Sequence, residues 1–310
     1  MVKNWTANDI PNQSGRVAIV TGANSGLGYE SSRALARKGA TVIMACRNPN
    51  KAESAKAQIL AEIPNAQLHL MALDLAKLAS VHAFVEAFRS QYDRLDILLN
   101  NAGVMAIPQA TTEDGFEMQM AVNYYGHFVL TARLFDLIVN RPHSRIVNLS
   151  SVVQYGASIQ FDDLNWERNY SRWGVYGQSK LVMTVFANEL DRRLKSANIE
   201  NTRALSAHPG LSTTNLQGTS ADASGHKGED WAFKYVVPAL GQSQEMGALP
   251  QLYAATSPDA QGGKFYGPRW WSRGYPAECP QTPEARRVAD WQKFWQRSEE
   301  LTQTPFNVSA

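Results

Sequence analysis

The run from Thr21 to Gly28, TGANSGLG, constrains this chain more than any other stretch, because three glycines crowd the point where an apolar strand candidate gives way to a helical pattern. The strand candidate is Arg16 to Val20, and the helical pattern resumes through Tyr29, Leu35 and Ala36. A turn this tight needs residues without a Cβ, so that backbone N–H groups at the start of the helix can approach a pyrophosphate. The helix dipole also favours negative charge there. The implied ligand is a dinucleotide, and strand before with helix after is the context such a motif requires.

That strand is the first of a series. RVAIV, TVIMAC, LHLMALDL, DILLNN, RIVNLSS and TRALSAHPG read as strands, with GGKFYG a weaker candidate. Helical patterns fill the intervals at about Gly26 to Lys38, Asn50 to Glu62, Leu78 to Gln91, Glu113 to Val139, Gly174 to Lys195 and Ser243 to Thr256. Such alternation predicts parallel βα units. Right-handed crossovers then collect them into one α/β, doubly wound parallel sheet with helices on both faces. A length of 310 residues fits a single domain of this class, with its core at about 15–266 and residues 267–310 as a C-terminal extension. Two stretches break the regular pattern: Val152 to Trp173, polar and aromatic, and Leu211 to Asp230, rich in Gly, Ser, Thr and Ala. The second has the composition of a mobile substrate lid over 211–230. The aromatics beyond Gly262, including Tyr266, Trp270, Trp271, Trp291, Phe294 and Trp295, read for the most part as packing the tail onto the body.

Composition narrows the partners. A net charge of +2 gives no electrostatic case for nucleic acid or an anionic membrane. Cys46 and Cys279 are far apart and lack metal-ligand spacing, so neither a disulfide framework nor a metal site is expected, and a reducing compartment fits. The first residues, MVKNWTANDIPNQSG, are polar, and no apolar run is long enough to span a bilayer. The expectation is a soluble cytoplasmic protein without an integral membrane segment, in which a homo-oligomer is allowed.

Ligands in open α/β sheets bind at the carboxyl ends of the strands, and functional side chains collect at those ends here. Arg47 follows the second strand, Asp74 ends the third, Asn100-Asn101-Ala102-Gly103 follows the fourth, and Ser150 and Ser151 follow the fifth. Next, opening a helix, comes Tyr176-Gly-Gln-Ser-Lys180; of the 11 tyrosines only Tyr176 has a lysine four residues on. An acidic residue after the second strand would bind both ribose hydroxyls and repel a phosphate. Ala45, Cys46 and Arg47 stand there instead, and the planar fork of Arg47 suits a 2′-phosphate, favouring NADP(H).

Taken in order, TGxxxGxG, NNAG, Asn123 in VNYYGHF, a serine after the fifth strand, YxxxK and the turn at His208-Pro209-Gly210 closely resemble the short-chain dehydrogenases/reductases, over roughly Gly15 to Tyr266. The wording around them, VIMACRN, MALDLA, VNLSSVV and IQFDDLN, is most similar to the retinol dehydrogenase and related carbonyl reductase branch. The resemblance implies a single-domain Rossmann fold and reversible hydride transfer between NADP(H) and a small lipophilic ketone or aldehyde and its alcohol. It implies a catalytic set of Asn123, Ser151, Tyr176 and Lys180, without metal. Tyr176 exchanges the proton through a phenol whose ordinary pKa is about 10, and Lys180, one turn away, is expected to favour the phenolate by its charge. In the family the lysine also binds the nicotinamide ribose, the serine holds the substrate oxygen, and the helix asparagine anchors a water that relays protons. Strand alternation lets only one of Ser150 and Ser151 face the site, and the branch places the catalytic serine second.

Cofactor contacts implied by the resemblance fall on Gly22, Asn24, Ser25, Gly26, Leu27 and Gly28 for the pyrophosphate turn, and on Asp74 and Leu75 for adenine. Asn101, Ala102 and Gly103 fall at the ribose, and Pro209, Gly210, Leu211 and Thr213 on the nicotinamide side. Substrate contacts are expected from Ser151, Tyr155, Trp173 and Leu211. The alternatives are a C=C reductase of protochlorophyllide reductase type and a non-catalytic NADPH-binding sensor.

Overall fold

The computed structural model describes residues 4–139, 141–212 and 241–309. Eight strands form one sheet in the order β3-β2-β1-β4-β5-β6-β7-β8. They are β1 Val17–Thr21, β2 Thr41–Cys46, β3 Leu68–Ala72, β4 Ile97–Asn100, β5 Ser144–Leu149, β6 Thr202–Ala207, β7 Phe265–Pro268 and β8 Pro276–Glu278. Every pairing from β3 to β7 is parallel, and β8 alone runs antiparallel, against β7. The expected doubly wound sheet is therefore present. The antiparallel edge was not anticipated, since Pro276–Glu278 is only three residues long and opens on a proline.

The helices are α1 Gly26–Arg37, α2 Pro49–Glu62, α3 Leu78–Arg89, α4 Met118–Met120, α5 Gly126–Ile138, α6 Arg172–Ser196, α7 Gln244–Thr256 and α8 Val288–Thr302. Alternate residues of each strand feed two separate cores, as side-chain period 2 requires. Val42, Ile97, Val147 and Leu205 pack with Leu35 of α1, Ile59 of α2 and Leu249 of α7. Ile19, Ile43, Leu98 and Ile146 pack on the other face with Phe84 of α3, Phe128 of α5 and Phe186 of α6.

The helix expected to start at Glu113 starts at Met118 instead. Gly115 (φ +82°) turns the chain with its N–H on the Thr112 carbonyl, and Thr111 bridges Glu117, so the preceding residues form a small loop. The Glu117 carboxylate then caps the helix at the Met120 N–H, 2.8 Å away. A π-helical turn, Ala121–Tyr125, separates α4 from α5. Such turns insert one extra residue and recur at functional sites, and this one carries Asn123.

The C-terminal extension packs onto the body as expected, through α8, whereas Trp270 and Trp271 of the preceding turn are exposed. Phe294, Trp295 and the following Phe306 are buried among Tyr124, Phe128, Phe135 and Phe186. Cys46 and Cys279 are both free and buried. Among the described residues no helix is long and apolar enough to cross a membrane.

Candidate active site

The strand order reverses between β1 and β4, which opens a crevice at their carboxyl ends. There a cavity of about 490 Å³ runs from Arg47, Lys51 and Asp74, past Asn24 and Gly26, to Gly103, Val104 and Leu149. Gly22 sits at φ +67° and Gly26 at +58°, where a Cβ is penalised. A Cβ on Gly28 would collide with the Gly22 carbonyl and lie 2.6 Å from Asn101 Nδ2, so only glycine lets α1 start this close to β1 and β4. Ser25 occupies the N-cap of α1 without a capping bond from its side chain, and Gly26, Leu27 and Gly28 of the first turn line the cavity. Uncapped amides at a helix start suit an anion.

At the far end of the β2 side, Arg47 and Lys51 both border the cavity, and among the described residues neither pairs with a carboxylate. Lys51 was not visible as a site residue in the chain. It enters because Asn48 caps α2, accepting the Lys51 N–H at 2.9 Å, and Pro49 fixes the first turn, which aims α2 at the cleft with Ser54 and Gln58 also on its lining. The capping pattern Asn-Pro immediately after Arg47 was the available signal. Asp74 and Leu75 line the same end, and the Asp74 carboxylate accepts the Ala76 N–H at 3.1 Å.

At the opposite end the structure brings Ser151, Tyr176 and Lys180 together. Ser150 turns away, its hydroxyl donating to the Lys180 carbonyl, while the Ser151 hydroxyl accepts the Val153 N–H at 3.3 Å and is near enough to the Tyr176 phenol to favour its ionised form. Lys180 Nζ donates to the Leu149 carbonyl at 3.1 Å and lies 5.9 Å from the Tyr176 ring centre. A Cβ on Gly103 would stand 3.0 Å from Asn123 Oδ1 and 3.1 Å from Lys180 Nζ, so these two side chains converge on the NNAG turn. Asn123 is held on three bonds: its Oδ1 accepts the Val104 N–H at 2.7 Å, and its Nδ2 donates to the Val104 carbonyl at 2.9 Å and to Ser179 Oγ at 2.8 Å.

The electrostatics correct one expectation. Lys180 does not draw the phenol toward neutrality in this geometry. Burial pushes Tyr176 up to about 12, against a weaker downward pull from the nearby Ser151 hydroxyl, and burial lowers Lys180 to about 8. Loss of hydration outweighs an ammonium whose own bond points at the Leu149 carbonyl.

Pro209, Gly210 and Leu211 form a tight turn against the β7–β8 hairpin. Gly210 has φ +66° with a Cβ position blocked by the Ser272 carbonyl, and the Leu211 N–H donates to that carbonyl at 2.8 Å. Trp173 meets the Tyr176 ring edge-on, with ring centres 6.0 Å apart. Tyr155 faces elsewhere: its hydroxyl donates to the Pro280 carbonyl at 2.7 Å and its ring lies 5.6 Å from Trp271. Thr213 and nearly all of the proposed lid at 211–230 lie outside the described residues.

Residues 16–224 match the short chain dehydrogenase family. The chain is 39% identical to human retinol dehydrogenase 13 over 290 residues, covering 93% of this chain and 84% of that protein. It is 42% identical to bovine retinol dehydrogenase 12 over 202 residues, covering 65% of this chain and 63% of that one. Among solved structures, an uncharacterized protein from Mycobacterium paratuberculosis superposes with a TM-score of 0.81 at 37% identity, covering 99% of this chain and 100% of that one. A short chain dehydrogenase from Escherichia coli CFT073 complexed with NADPH shares the fold, with a TM-score of 0.59 at 22% identity, over 83% of this chain and 97% of that one.

Proposed function

The chain belongs to the short chain dehydrogenases, in their retinol dehydrogenase branch, and from that premise we propose that it takes NADP(H) and interconverts a lipophilic ketone or aldehyde with its alcohol, Tyr176 moving the proton. Hydride-transfer chemistry on alcohol and carbonyl groups comes with the family. The finer reading is carried by one observation: a single cleft has two cations, Arg47 and Lys51, without a carboxylate partner among the described residues at one end, and Gly103 beside Lys180 and Asn123 at the other.

The residues fit a dinucleotide, since the Gly22–Gly28 turn admits a backbone approach that any Cβ would block and the cations suit a 2′-phosphate. When bound, the nicotinamide supplies or accepts the hydride. The chain does the rest. Ser151 and Tyr176, neighbours at the carboxyl end of the sheet, are placed to hold a carbonyl oxygen together. A phenol raised to about 12 stays protonated at neutral pH, the form needed to donate to an oxygen becoming a hydroxyl. Lys180, buried and anchored on Leu149, keeps a cation within one helical turn of that oxygen site.

Tyr176→Phe removes only the hydroxyl. We expect kcat for NADPH-dependent reduction of hydrophobic aldehydes and ketones to fall by at least about a hundredfold, the usual scale of general acid catalysis, with NADPH affinity nearly unchanged. Product analysis on conjugated enones separates carbonyl from C=C reduction. A variant keeping a tenth of wild-type turnover would remove Tyr176 from the chemistry, and a wild-type protein that binds NADPH but turns over nothing in the panel would mark a sensor.

A further inference from the structure

His127 lies in α5 four residues beyond Asn123 and is fully buried. Its Nδ1 stands 3.1 Å from the Asn123 carbonyl oxygen and its Nε2 stands 2.9 Å from Thr21 Oγ1. A carbonyl can only accept, so Nδ1 carries the proton and Nε2 is left to accept. Thr21 Oγ1 already accepts the N–H groups of Asn101 and Ala102, both at 2.9 Å, which occupies its two lone pairs. Its one proton therefore goes to Nε2, because the competing Leu99 carbonyl is farther away, at 3.3 Å.

The chain of bonds does not stop at Asn123. Asn123 Nδ2 donates to Ser179 Oγ, and Ser179 Oγ donates to the Tyr176 carbonyl at 2.8 Å. Asn101 and Ala102 line the cavity, whereas Tyr176 carries the phenol. A sequence of directional contacts thus joins the floor of the proposed cofactor cleft to the backbone of the proposed acid; the imidazole ties Thr21 of β1 to the Asn123 backbone, while the Asn123 side chain meets the same turn directly at Val104. A leucine would fill the same volume without the cost of burying two ring nitrogens.

We propose that His127 is a positioning residue, a neutral imidazole that locks the Asn101–Ala102 turn to the Asn123 carbonyl so that cofactor seating and the placement of Tyr176 are coupled. This rests on the reading of the site given above. Burial holds the ring well below the usual histidine range, at about 3, so it is uncharged at neutral pH and both bonds keep one polarity.

Two conservative variants divide the two bonds. In His127→Asn the short amide reproduces Nδ1 and keeps the donor to Asn123 but cannot reach Thr21. In His127→Gln the longer amide reaches the Nε2 position and keeps an acceptor for Thr21 but leaves the Asn123 carbonyl. His127→Asn should raise the Kd for NADPH, read by fluorescence titration, about tenfold with a smaller change in kcat, the scale of one lost buried hydrogen bond. His127→Gln should do the reverse, lowering kcat about tenfold with a smaller change in Kd. Thr21→Val should copy the weakened NADPH binding of His127→Asn. Equal losses of kcat and affinity in both variants, or a lowered Tm with neither constant moved, would overturn the proposal. NADPH affinity is measured without turnover. A wild-type protein that binds NADPH and reduces no carbonyl would therefore defeat the functional reading while the His127→Asn and Thr21→Val titrations still decide this one.

Discussion

Arg47 and Lys180 are two cations of the proposed site, and they differ in burial. Arg47 is exposed at the end of β2, so its selectivity is a matter of sign and reach rather than burial. In Arg47→Asp a carboxylate would face the phosphate, and the KM for NADPH should rise about tenfold or more while NADH use is spared. Steady-state kinetics with both coenzymes checks this, and a wild-type preference for NADH would contradict it. Lys180 is buried, and its amine holds a proton less firmly in the folded chain, at about 8, than at its ordinary value of 10.5. Between those values the unfolded chain binds more protons, so stability rises with pH across that window and is unaffected below it. Tyr176 acts in the opposite sense, but only above its ordinary value of 10.0. Urea midpoints at pH 7.5 and 9.5 should therefore climb more for wild type than for Lys180→Met. Parallel behaviour would mean that the ammonium is hydrated.

At the scale of elements, some glycines mark where a helix presses on neighbouring backbone, and Gly126, at the start of α5, is one of them. A Cβ there would lie 2.6 Å from the Leu75 carbonyl and 3.0 Å from the Leu75 Cβ. Alanine improves helix propensity by about 1 kcal/mol, but overpacking against backbone costs about 1–3 kcal/mol, so the strain should win. Gly126→Ala should lower stability by roughly 1 kcal/mol and weaken NADPH binding by shifting Leu75 in the cleft; a variant as stable as wild type would show that α5 can slide. The same contact explains what could be read in the chain and what could not. β1, β2 and β5 were legible because buried parallel strands are continuous apolar runs, and Gly22, Gly28, Tyr176 and Lys180 because the chemistry demands them at fixed spacing. The π turn at Ala121–Tyr125 was not, since an extra residue leaves the apolar periodicity of VNYYGHF looking like one unbroken helix. Nor was Lys51, which reaches the cleft only through the axis of α2.

For the whole molecule, the decisive fact is what α8 covers. Tyr124 of the π turn, Phe128 of α5 and Phe186 of α6 meet Phe294, Trp295 and Phe306 from the C-terminal segment. Two polar contacts fix the register: the Tyr124 hydroxyl pairs with Ser298 Oγ at 2.8 Å, and the Arg193 guanidinium lies 4.2 Å from the Trp295 ring centre. At the other edge of the sheet β8 pairs with β7 and occupies an edge that would otherwise be open to another strand. Two surfaces on which α/β chains could pair with copies of themselves are thus filled from within. Aromatic side chains bury roughly 150–250 Å² each, so uncovering three of them makes a patch of about the size that a soluble monomer seldom leaves exposed. A chain ending at Arg287 should therefore associate or precipitate under conditions where the full chain sediments as a single species. Trp295→Ala should lower stability by about 3–5 kcal/mol, since a fully buried indole leaves a cavity that its neighbours fill only in part. Sedimentation velocity on the shortened chain and urea unfolding of the point variant check both effects. A shortened chain that stays monomeric with an unchanged midpoint would mean that α8 is a passive appendage, and that the helical faces beneath it need no cover.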